Sequence, residues 1–272
     1  MRGPKLTMLL FASCITGCVG STGSDFVEFK AYAAGPEHAD ASNPYEFTSD
    51  LGFDVTLTRA RLHIGAAYLD SAMPTLGAQA TSCVLPGLYV ASVPGPVDVD
   101  VLSGTPQPFS VTGEGTATRA LAGELWLTGG NIEADDDSTV ILDVAGTAAK
   151  DGTLLPFEGK VTIGQNRAIA ASSPALPGSH PICKQRIVSP IPVDFAPRAG
   201  GALLIRVNPA GWFSNVNFSK LAPSVASPGS FAFSDDSSDQ PSRNLFGGLT
   251  QASLDTYRFT WVEPSALEEF AR

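Results

Sequence analysis

The chain has 272 residues, 43% of them hydrophobic and only 16% charged, with a formal net charge of −10. A typical soluble domain carries roughly 25% charged residues. Coiled coils, charged helical bundles and polybasic nucleic-acid binders are therefore excluded, and the negative balance repels phosphate backbones and anionic lipid surfaces alike.

Glycine (27) and proline (21) are frequent, which implies many turns and little helix. Residues 1–18 read MRGPKLTMLLFASCITGC. Arg2 and Lys5 precede a mostly apolar run over 6–15. That run is too short to cross about 30 Å of hydrocarbon as a helix and fits the centre of a secretory signal. It ends in Ile15-Thr16-Gly17-Cys18.

This ending resembles the lipobox of bacterial lipoproteins, where an aliphatic residue and small residues precede a cysteine. Thr16 departs from the more usual Ala or Ser. The resemblance implies a signal peptide over 1–17, cut by signal peptidase II, and a diacylglycerol on the thiol of Cys18. Two or three acyl chains, at about 0.8 kcal/mol per buried methylene, anchor a protein that one chain would hold only weakly. Val19 follows Cys18; under the enteric sorting rule the absence of Asp there implies the outer membrane. The resemblance covers the N-terminus alone, so it implies an address and not an activity.

Four cysteines occur. Cys14 leaves with the signal and Cys18 takes the lipid. Cys83 and Cys183 remain, and in an oxidising compartment two thiols allow one pairing, the Cys83–Cys183 disulfide. A loop of that length contributes on the order of 4–5 kcal/mol in the chain-entropy account. No CxxC or Cys/His cluster supports a redox or metal role for the pair.

Residues 18–25 form a short lipidated tether, and a single domain is expected over 26–272. Its first β-like run covers 26–32. The stretch 53–69 is the richest: Val55 and Leu57 share one phase, Leu62, Ile64 and Ala66 the other, so a bulge or break is expected near 58–61. Another run covers 88–93. Val97-Asp98-Val99-Asp100-Val101 alternates strictly, valines to the core and aspartates to water. Further runs cover 123–128, 139–145, 157–163, 186–195, 202–207 and 256–262. Turn residues such as Gly129-Gly130 and Lys150-Asp151-Gly152 separate them.

Helix signals are sparse. A turn or short helix is expected within 209–221. Ser265 with Glu268 fits a capping box opening a C-terminal helix, with Leu267, Phe270 and Ala271 on one face. Residues 222–245, rich in Ser, Pro and Asp, read as a long surface loop. The pattern implies an all-β fold: an antiparallel β-sandwich of immunoglobulin- or transthyretin-like kind with a short C-terminal helix. Two smaller β units meeting near 128–137 are the alternative.

Chemistry-bearing motifs are few. His38, His63 and His180 show no paired spacing, although a fold could gather them around zinc or copper. Asp135, Asp136 and Asp137, beside Glu133, are the candidate calcium ligands. A second acidic group, Asp235, Asp236 and Asp239, lacks the EF-type alternation too. There is no GxSxG elbow, SxxK or HExxH. Trp212-Phe213 followed by Asn215 and Asn217 is the candidate ligand-binding constellation, since aromatic faces stack on sugar rings and amides bond hydroxyls. The competing reading puts Trp212 in the core.

The expected function is a lipid-anchored envelope protein with a binding or structural role and no catalysis or cofactor. Its partners are the membrane, through Cys18, and an envelope protein or glycan; nucleic acid is excluded. The alternative is an envelope hydrolase or metal-handling protein whose site only the fold assembles.

Overall fold

The computed structural model describes residues 25–73, 89–132, 134, 137–162 and 185–266. Cys18, Cys83, Cys183, His180, Asp135 and Asp136 lie outside them.

Alternating burial generates most strands. In β1 (Phe26–Ala34), Val27, Phe29, Ala31 and Ala33 are buried, while Glu28 and Lys30 face outward. β2 (Tyr45–Thr48) pairs with β3 (Asp54–Ile64), the strand holding the expected phase change. Ala145 pairs with Arg59 and Gly146 with Leu57, so Thr58 is the extra residue of a bulge. The bulge turns Ala60, Leu62 and Ile64 to the same interior as Val55 and Leu57.

Gly65 then carries the chain to β4 (Ala66–Asp70) in the other sheet. A Cβ at Gly65 would lie 2.1 Å from the Thr128 carbonyl oxygen, so only glycine lets the crossing strand approach this closely. The remaining strands are β5 (Tyr89–Val93), β6 (Val97–Asp100), β7 (Gln107–Pro108), β8 (Gly113–Thr116), β9 (Ala120–Trp126), β10 (Val140–Lys150), β11 (Thr153–Thr162), β12 (Ile187–Phe195), β13 (Ala202–Val207), β14 (Ala222–Pro223), β15 (Phe231–Ala232) and β16 (Tyr257–Val262). In β6 the valines are buried, as the alternation requires.

The first sheet runs β12-β9-β4-β5-β8-β1-β13-β16, with β7 also on β1; the second runs β14-β15-β11-β10-β3-β2, with β6 on β3. The chain is mostly β, as expected, but the sheets are mixed. β1 pairs with β13, and β11 with β15, in parallel. This corrects the antiparallel-only expectation. Parallel partners need a crossover instead of a hairpin, and both pairs join segments far apart in sequence.

The first sheet also curls. Phe195 on β12, at one end of its order, stacks on Trp261 of β16, at the other, with ring centroids 5.7 Å apart. Inward side chains of both sheets belong to one hydrophobic cluster, among them Phe29, Leu57, Leu125, Val144, Ile205 and Phe259.

Two 3₁₀ turns, Pro209–Phe213 and Phe218–Lys220, occupy the segment where a turn or short helix is expected. The α-helix α1 (Gln240–Thr250) corrects one expectation: it begins inside the stretch 222–245 read as a surface loop. Asp239 caps it by accepting from the Ser242 N–H at 2.8 Å, and Leu245 and Leu249 are fully buried. A Cβ at Gly248 would lie 2.6 Å from the Trp212 carbonyl oxygen, so glycine seats the helix directly on the first 3₁₀ turn. Near the C-terminus the described chain has one 3₁₀ turn, Pro264–Ala266. The expected helix beyond it falls on residues 267–272, outside the described set. Among the described residues, no helix is long and apolar enough to cross a membrane.

Phe213 is the hub of an aromatic group, with ring centroids 5.9 Å from Phe47, 5.8 Å from Phe157 and Phe218, and 6.2 Å from Phe233. Phe213→Ala is expected to cost about 3–5 kcal/mol. A fall in the urea midpoint with an unchanged denaturant slope checks it.

Candidate functional site

The aromatic-amide run does not form one ligand-facing surface. Trp212 and Phe213 are fully buried. The Trp212 Nε1–H donates to Tyr257 Oη at 3.3 Å, and the Tyr257 hydroxyl donates to the Leu249 carbonyl at 2.6 Å. This chain ties a 3₁₀ turn to β16 and α1. Burial pushes the Tyr257 phenol far above its ordinary value, which keeps it a neutral donor. The expectation that these rings stack on a sugar is therefore corrected: neither ring has a face open to a ligand.

The two amides separate. The Asn215 carbonyl accepts from Gln240 Nε2 (3.3 Å) and Asn244 Nδ2 (2.5 Å), fastening the start of α1. Asn217 Oδ1 caps the second 3₁₀ turn by accepting from the Ser219 N–H at 3.2 Å. Asn217 also borders an open cleft of about 570 Å³ with Phe53, Leu155, Phe231, Lys150 and Asp151.

Of the acidic run, Asp137 is described, and its own loop uses it. One carboxylate oxygen accepts from the Thr128 hydroxyl (2.9 Å) and the Gly129 N–H (2.8 Å), the other from the Thr139 N–H (3.0 Å). Burial opposes its ionisation, but these donors outweigh it and hold the carboxyl below its ordinary value. His38 leans on Tyr45, while His63 Nδ1 lies 2.7 Å from Asp98 Oδ1. Among the described residues no three His, Cys, Asp or Glu side chains gather as a metal cluster.

The strongest electrostatic feature lies elsewhere, on the outer face of the first sheet. Register sets Ala66 opposite Trp126, Tyr68 opposite Glu124 and Asp70 opposite Ala122, so Tyr68, Asp70, Glu124 and Trp126 share that face. Tyr89 pairs with Asp70 from β5 across a bulge. Ile132 and Ile187 pack on Ala66 and Trp126, making a second small apolar cluster outside the main core. The Tyr68 ring lies 4.3 Å from that of Trp126 and 5.1 Å from that of Tyr89.

Under this cover Asp70 is 1% exposed and Glu124 3%. Three donors converge on Glu124: the Tyr89 hydroxyl (3.2 Å) and Trp126 Nε1–H (3.3 Å) on Oε2, and the Ser189 hydroxyl (2.9 Å) on Oε1. Asp70 Oδ2 is buried with no hydrogen-bond partner. Burial first, and the neighbouring Glu124 charge second, push the Asp70 carboxyl up to about 7. The arrangement is two buried carboxylates beside Tyr68, Tyr89 and Trp126, one accepting three hydrogen bonds and the other with a buried oxygen that accepts none.

Sequence reasoning missed this pair. Glu124 lies within the expected run 123–128 and Asp70 directly after the run 53–69, and no motif singles either out. Nothing local says that Ile132 and Ile187 pack over that face. The signal that could have raised suspicion is Tyr and Trp alternating with the acids on both strands.

Comparison with known protein families, with curated proteins and with solved structures returned no match to this chain.

The Asp70 carboxyl has a definite sign in stability. Its folded value is raised from 3.8 to about 7, so the folded state holds the proton more tightly than the unfolded chain. Stability from this group is full below pH 4 and is lost as pH rises through 7; a displacement of that size is worth about 4 kcal/mol. With chelator present, Asp70→Asn is expected to flatten the fall in melting temperature between pH 5 and 8, and to melt above wild type at pH 8. Thermal unfolding across that range checks it.

Proposed function

We propose that the chain is a lipid-anchored protein of the bacterial cell envelope with a binding or structural role, its body a β-sandwich-like single domain. The observation that carries this is the lipobox-like ending Ile15-Thr16-Gly17-Cys18 after a short apolar run. The first strand begins at Phe26, shortly after Cys18 in sequence, so an anchored body sits close to the membrane. One hydrophobic cluster drawing on both sheets supports a single domain. A Cys83–Cys183 disulfide accords with export.

The binding role is assigned to the open cleft beside Asn217. Its partly apolar lining and the Lys150, Asp151, Thr153, Asn217 and Ser219 groups around it suit an envelope glycan or a protein loop with mixed polarity. The net charge of −10 argues against a nucleic-acid partner. The role is binding and not catalysis, because the sequence carries no nucleophile motif.

Intact mass of the protein extracted from native membranes tests the anchor and the bridge together. The expected result is a chain starting at Cys18 with added acyl mass, gaining about two hydrogens on reduction. An unmodified chain in the soluble fraction overturns the anchored reading.

A further inference from the structure

We propose that Asp70 and Glu124, together with the Ser189 hydroxyl, form a binding site for a hard divalent cation of the calcium class. Three observations carry it. First, the two carboxylates lie on one face of adjacent strands β4 and β9, at diagonal register positions, and both are almost wholly buried. Two such buried carboxylates can both be ionised only if a cation joins them; otherwise one keeps a proton.

Second, Asp70 Oδ2 is buried and has no hydrogen-bond partner, whereas both oxygens of Glu124 are held. Tyr89 and Trp126 fix one oxygen of Glu124 and Ser189 the other, an outer shell of donors that orients a ligating carboxylate. Third, among the described residues the available donors are all oxygen: two carboxylates and a hydroxyl. Oxygen-only sets select calcium or magnesium over zinc or copper. The protein supplies part of the shell of about six to eight oxygens that calcium takes, and water completes it. The site stands apart from the Asn217 cleft and does not depend on the lipid anchor.

The test is thermal unfolding of the full chain at pH 8 after chelator treatment, with calcium, magnesium or sodium chloride added at matched ionic strength. A saturable rise with calcium is expected, on the order of 5–10 °C at a hundredfold excess over the dissociation constant. Asp70→Asn and Glu124→Gln are expected to abolish it. Elemental analysis of dialysed wild type, expected to find one calcium per chain, keeps the proposal decidable if a variant fails to fold. No saturable rise and no bound ion in wild type overturns it, and the pair is then held by a proton alone. An undiminished rise in folded Asp70→Asn also overturns it, because the ion then sits elsewhere.

Discussion

The packing of Phe259 on the bare backbone of Gly123 is what lets the first sheet curl until side chains of its two end strands touch. Phe259 belongs to β16 at one end of the sheet, and Gly123 to β9, next to the other end. A Cβ at Gly123 would lie 2.9 Å from the Phe259 ring, inside the contact that the ring itself occupies. A ring can reach across the interior in this way only if the sheet curls, and the stack of Phe195 on Trp261 marks the same approach at the rim. The curl in turn explains the parallel pairing of β1 with β13. The segment leaving β12 need only pass β16 to reach its place, so a short connection suffices where a flat sheet would demand a long crossover.

The same strands carry chemistry on their other side. Alternation that sends Gly123, Leu125 and Leu69 inward sends Glu124, Trp126, Tyr68 and Asp70 outward. That outer face is not surrendered to water, because Ile132 and Ile187 cover part of it. A carboxylate removed from water without a partner is destabilising unless a proton or a cation neutralises it. Local disagreement of this kind with the rules of stable packing concentrates at functional positions. It is the physical reason to look at Asp70 before the better solvated acids such as Asp137, whose three donors already satisfy it.

What was legible in the sequence was what depends on near neighbours. The valines of 97–101 declare a half-buried strand, and the change of phase between Leu57 and Leu62 declares the bulge that Thr58 makes. The turn at Lys150-Asp151-Gly152 closes the β10–β11 hairpin, with both Asp151 and Gly152 at positive φ. Long-range partners were not legible. The helix α1 hides behind Gly247 and Gly248, poor helix formers, of which Gly248 seats the helix against the Trp212 carbonyl. Trp212 and Asn215 are near in sequence but lie in opposite environments, because the first 3₁₀ turn ends at Phe213 and Asn215 falls in the exposed connection beyond it. Asp70 and Glu124 are separated in the chain by four strands, β5 to β8, and brought together only by register.

Closure and site are mechanically linked through β12. This strand lies at the end of the sheet, hydrogen-bonded to β9 through a ladder interrupted twice by irregular register. Its prolines, Pro190 and Pro192, remove ladder donors. Side chains therefore supplement the ladder: Ser189 donates to Glu124, and Ile187 packs on Trp126. Anything that fixes Glu124 fixes β12, and β12 carries Phe195 to its stack on Trp261. A neutralised carboxylate pair lets Glu124 keep the bond from Ser189, whereas a repelling pair leaves β12 to its interrupted ladder and the Ile187 contact.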